Sequence, residues 1–87
     1  MTNATYTNAI DAIVAVYIEN DSLEKNYDWL MSHCDKIRAE RVEKEICSNI
    51  SKVSGMETML AMLSGKEYDE VGSDVMSKVF EIRDNNQ

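Results

Sequence analysis

The chain has 87 residues, sixteen acidic against nine basic, and a net charge of -7. Hydrophobic residues make up 44% and charged residues 29%, which suits a globular domain and is too apolar for a disordered chain. No proline and only three glycines argue against a turn-rich β-sandwich, and the acidic balance argues against direct nucleic-acid binding, which needs a basic footprint.

Taken in chain order, the pattern is helical almost throughout. Tyr6, Ile10, Ile13 and Tyr17 recur at spacings of four, three and four, the signature of one helix face. Ala9, Val14, Val16 and Ile18 widen that face, so the first helix is expected to be central and packed on two sides. Asn20-Asp21-Ser22-Leu23-Glu24 predicts a stop and restart, with Asp21 as N-cap and Glu24 closing a capping box.

The next segment runs to Gly55 with two apolar stripes. Leu23, Tyr27, Leu30, Cys34 and Ile37 form the first, and Ala39, Val42, Ile46, Ile50 and Val53 the second. At roughly 100° per residue the second is rotated by about 120° from the first. Either the helix breaks near Ser32–Asp35, or one helix of ~45 Å presents its halves to different neighbours. In the second case the projecting half needs a partner, and a copy of the chain supplies one through Val42, Ile46, Ile50 and Val53.

Ser54-Gly55-Met56-Glu57 reads as a further capping box, opening a short helix that Gly65 ends in the left-handed conformation. Tyr68, Val71, Val75, Val79 and Ile82 keep one phase across Gly72 and predict a single last helix, with Asp84–Gln87 as a frayed tail. The expectation is one all-α domain over residues 1–87. It is a small bundle of four helices, five if the 22–54 stretch breaks, that self-associates as a homodimer.

Chemistry is sparsely marked. His33, Cys34, Asp35 and Cys47 lack the spacing of a metal site, and on one helix the two thiols stand about 20 Å apart. Buried structural thiols are the better reading. The one imidazole has no serine partner, and no phosphate loop or nucleophile elbow occurs, so neither an enzyme nor a cofactor is expected. The opening residues carry no basic signal-peptide region, and the longest apolar run, Ala12 to Ile18, is too short to span a bilayer. A cytoplasmic protein is expected, in the host cytoplasm if a phage encodes it.

Charge placement and aromatics are more useful. Residues 25–52 carry five acids and six bases, leaving eleven acids and three bases elsewhere. Lys36–Glu40, Glu40–Lys44 and Arg41–Glu45 sit at i, i+4, the pattern of a solvated, self-paired helix face. The excess acid gathers at Glu67, Asp69, Glu70 and Asp74 around the start of the last helix, and at Asp11, Glu19, Asp21 and Glu24 at the first turn, a surface suited to a partner protein with a basic face. Trp29 lies opposite the Leu23–Cys34 stripe, on the side of Lys25, His33 and Lys36. It is expected to be packed against the first helix, and otherwise to be an interface anchor beside cations. Met56, Met59 and Met62 either fill core gaps or line an adaptable groove, with Met62 the one most apt to be exposed.

These features point to a protein-interaction module acting by stoichiometric binding: an inhibitor, adaptor or accessory factor of phage or mobile-element type. The alternatives are a self-assembling scaffold or virion component, a DNA-mimic inhibitor of a nucleic-acid-binding protein, and a metal- or small-molecule-binding bundle.

Overall fold

The computed structural model describes residues 1–86 and contains three α-helices and no strand among them: α1 (Asn3–Ser32), α2 (Lys36–Ser64) and α3 (Tyr68–Asn85). The expected four- or five-helix bundle is therefore corrected to a three-helix bundle. Two predicted breaks are absent. Asn20–Glu24 lies inside α1, and Ser54–Glu57 lies inside α2. The break that does occur is the one near Ser32–Asp35. Of the predicted tail, Asp84 and Asn85 close α3, while Gln87 falls outside the described residues.

The α1–α2 turn is compact. The Asp35 N–H donates to the Leu30 carbonyl at 2.9 Å and the Cys34 N–H to that of Met31 at 3.2 Å. This is the paired closure of a Schellman motif, with Cys34 at φ 60 in the left-handed position that glycine usually fills. Asp35 then caps α2, its carboxylate accepting from the Arg38 N–H at 3.2 Å. The second turn follows expectation: Gly65, at φ 73, donates its N–H to the Ala61 carbonyl and ends α2.

The reversal at Cys34 explains the rotated stripes, because the two halves of the 22–54 stretch face each other. In α1, Ala9, Ile13, Val16, Asn20, Leu23, Tyr27 and Leu30 follow alternate spacings of four and three. In α2, Ala39, Val42, Ile46, Asn49, Val53, Met56, Leu60 and Leu63 do the same. This is the heptad seam of an antiparallel coiled coil. Asn20, nearly buried, marks its middle: it donates to the Ile46 carbonyl at 3.4 Å and accepts from the Asn49 amide at 2.9 Å.

Helix α3 lies along the half of the hairpin nearer its open end, parallel to α1. Val71, Val75 and Val79 are fully buried there, against a core of Ile10, Ile13, Val14, Val16, Val53 and Leu60. Each such side chain contributes about 1.5–3 kcal/mol by leaving water. Polar contacts fix the register along α1. Tyr6 donates to Asp74 at 2.5 Å, Lys78 to Asp11 at 2.8 Å, and Arg83 to Asp21 through two bonds of 2.8 Å. Helix α1 is thus packed on two sides, by α2 and by α3.

Candidate functional site

Helix α3 meets Asp21 through Arg83 and ends at Asn85, while α1 continues to Ser32. The C-cap of α3, Asn86, shares a hollow with Lys25 and Asp28, so roughly 10 Å of the hairpin extends past its third helix. In this arm only Leu30 and Ala39 are buried apolar residues, and at its tip Trp29, Met31 and Ile37 are exposed. Trp29 is 57% accessible and Ile37 72%.

The exposure of Trp29 reverses the expectation that another helix covers it. The helix expected to do so is the N-terminal part of α1 itself, and one continuous helix cannot fold onto its own side. Instead Trp29 stacks on His33, with ring centroids 4.0 Å apart and planes at 21°. The His33 Nδ1 lies 2.8 Å from the Trp29 carbonyl oxygen and 3.1 Å from the Ser32 hydroxyl, which hold the imidazole against the indole. Lys36 begins α2 on the far side of the turn, also exposed. Both cysteines are exposed as well, contrary to the expected buried thiols: Cys34 occupies the turn and Cys47 an outward position of α2.

The predicted partner-binding residues divide between opposite ends of the bundle. Trp29, His33 and Lys36 are at the tip. Glu67, Asp69, Glu70 and Asp74 surround the start of α3, beside the open end of the hairpin. Glu67, Asp69 and Glu70 are exposed, whereas Asp74 is half-buried between Tyr6 and Lys66. The Lys66 ammonium lies over the Tyr6 ring, 4.1 Å from its centroid. Burial, the hydrogen bond to Asp74 and the charges of Asp74 and Glu70 push the Tyr6 hydroxyl up to about 12. Burial and Glu57 likewise raise Tyr17, whose hydroxyl donates to Glu57 at 3.3 Å. Asp74 therefore serves the fold as much as the surface.

The residues expected to self-associate are largely occupied within the chain. Val53 belongs to the core, Val42 and Ile46 are half-buried on the α2 seam, and only Ile50 is exposed. The i, i+4 pairs expected along α2 do not close. The ion pairs among the described residues are Arg38–Asp35, Lys66–Asp74, Lys78–Asp11 and Arg83–Asp21.

A further surface was only partly visible in the methionines. On the side of the hairpin away from α3, a shallow groove of about 280 Å³ runs between α1 and α2, with Ala9 and Ala12 on one wall and Met56, Met59 and Leu63 on the other. Met62 lies beside it and is 79% exposed. The heptad seam would have located this groove, but asparagines at two of its positions conceal the repeat.

Among the described residues no group of three or more His, Cys, Asp or Glu is placed to hold a metal ion, and no helix is long and apolar enough to cross a membrane. Set against protein-family models, curated protein sequences and solved structures, the chain matches none.

Proposed function

We propose that the protein acts by stoichiometric binding to another protein, as an inhibitor, adaptor or accessory factor, and meets that partner with the tip of the α1–α2 hairpin. The observation that carries this reading is Trp29, the one tryptophan, exposed at the end of an arm its own fold does not cover. Tryptophan is among the residue types most enriched at interface hot spots, where truncation costs about 2 kcal/mol or more. Its stack on His33 limits the freedom lost on docking, and Met31 and Ile37 extend the apolar contact. Lys36, exposed at the start of α2, adds a cation at the same end of the molecule, while Arg38 is paired with Asp35. At the opposite end Glu67, Asp69 and Glu70 provide a second contact for a partner with a basic surface.

The test compares tagged wild-type protein with Trp29→Ser in a lysate of the cells that make it, far-UV circular dichroism showing both to be equally folded. The expected result is one partner recovered in near-equimolar amount with the wild type and lost with the variant. Recovery unchanged by Trp29→Ser but abolished at about 0.5 M salt, where charges are screened over a few Å, would move the contact to the acidic end. Recovery of the chain alone would replace this reading with that of a self-assembling structural protein.

A further inference from the structure

In a chain of net charge -7, the groove between Ala9–Ala12 and Met56–Leu63 is bordered by helix segments almost without charge. From Met1 to Ile18 the sole Asp, Glu, Lys, Arg or His is Asp11, which is turned to Lys78 of α3. From Val53 to Gly65 it is Glu57, which is buried and bonded to Tyr17. Met59 and Leu63 are each 63% exposed, and with Met62 and the groove floor they offer on the order of 500 Å² of apolar surface, the size of patch that marks a contact site. It is also the face on which two strongly acidic copies can approach with least mutual repulsion.

We propose that this face is a homodimer interface, occupied by the same face of a second copy. Its shape is self-complementary. Along Ala9 and Ala12 the α1 wall is low, with Met1 closing its end, and the α2 wall is high, built of Met56, Met59 and Leu63. A two-fold axis parallel to the helices lays α1 of each copy across α2 of the other, so methionines and leucine enter the hollow over the alanines. Together the two faces remove on the order of 1,000 Å² from water, the size at which specific interfaces begin.

Charge at the border selects the same arrangement. Glu19 follows Ala12 by seven residues on α1, and Lys52 precedes Met56 by four and Met59 by seven on α2. Asn20 bonds to Ile46 and Asn49, which sets Glu19 within about a turn of Lys52 along the bundle. Neither makes an ion pair within the chain among the described residues. With the axis parallel to the helices, Glu19 of each copy faces Lys52 of the other. An axis across the helices would set α1 on α1 and α2 on α2 in opposite directions, carrying Glu19 and Lys52 to opposite ends of the interface and leaving both unpaired. The parallel axis also carries both hairpin tips to the same end of the dimer. The interface is independent of whether Trp29 meets a foreign protein.

Sedimentation equilibrium between about 1 and 200 μM, in reductant to keep Cys34 and Cys47 apart, tests the interface. The wild type is expected to dimerise with a dissociation constant in the micromolar range. Met59→Glu and Ala12→Glu, both at accessible positions, should raise it at least about 100-fold with helicity unchanged. Glu19→Lys and Lys52→Glu should each weaken the dimer several-fold, and the double exchange should restore it. A wild type that stays monomeric at 200 μM overturns the proposal. So does a dimer indifferent to Met59→Glu and Ala12→Glu. A dimer split by those two but indifferent to the charge exchanges at Glu19 and Lys52 retains the face and overturns the axis.

Discussion

The Asn20–Asn49 contact makes a quantitative test of the α1–α2 seam. Asn20→Ala removes a 2.9 Å bond from Asn49 and a 3.4 Å bond to the Ile46 carbonyl. The first is worth about 1 kcal/mol net, and the second less, since that carbonyl also serves the α2 ladder. Asn49 is half-buried and can turn toward water, so it escapes the full penalty of a stranded buried donor. The sum is about 1–2 kcal/mol, against a total stability of about 4–13 kcal/mol for a chain of this length. Urea unfolding followed by circular dichroism should show a midpoint lowered by about 1 M, with unchanged slope. In a double-mutant cycle, Asn20→Ala and Asn49→Ala should couple by about 1 kcal/mol. Replacing both with leucine should stabilise by about 1–3 kcal/mol while removing the polar mark that fixes the heptad register. If the two alanine substitutions add within about 0.3 kcal/mol, the asparagines do not bond across the seam and the register assigned here is wrong.

Three further outcomes follow from local geometry. In an ultraviolet titration, a tyrosine phase near pH 12 should vanish in Tyr6→Phe. Because the folded hydroxyl holds its proton from the ordinary 10.0 up to about 12, its contribution to stability is complete below pH 10 and lost between 10 and 12; a wild type equally stable to urea across that range would contradict the Asp74 contact. Cys34→Gly should raise the melting temperature by a few degrees, since relief of about 1–2 kcal/mol of left-handed strain exceeds glycine's entropy cost of about 0.5–1 kcal/mol, whereas Cys34→Val should lower it. Gly72→Ala should stabilise by about 0.5–1 kcal/mol, because the added methyl meets only the Glu57 Oε2 at 4.0 Å, while Gly65→Ala, at φ 73, should destabilise by about 1 kcal/mol; equal effects in thermal melts would contradict both assignments.

The helical class, the phase of α3 and the Gly65 terminus were legible because each depends on residues within a turn or two of one another. The helix count was not, and the reason lies in particular side chains. Asp21 and Glu57 have the spacing of capping boxes, but Asp21 binds Arg83 of α3 and Glu57 takes the Tyr17 hydroxyl, partners far away in sequence. A cap is worth about 1 kcal/mol, less than continuing a helix whose next turns lie in the core. At the real turn the punctuating residue is Cys34, which carries no local signal for the left-handed conformation. Asn20 and Asn49 hid the seam by reading as polar interruptions, although a polar residue at one seam position is a known means of fixing register. Of the candidate contact surfaces, the sequence marked Trp29, His33 and the acids of α3 singly. Their separation to opposite ends depends on the length of α1, and so was beyond any local pattern.

The unequal lengths of α3 and the hairpin also divide the molecule in time. The core residues of α1, α2 and α3 lie in the half that α3 covers, while the arm buries only Leu30 and Ala39 and leaves Leu23, Tyr27, Val42 and Ile46 half-buried. Amide protons from Tyr27 to Val42 should therefore exchange through openings far cheaper than global unfolding, with those of Val71 to Val79 among the last to leave. Such an arm can loosen and re-form without disturbing the bundle behind it. Whatever grips the Trp29 tip then selects from a set of arm conformations, and pays part of its binding energy to hold one of them still.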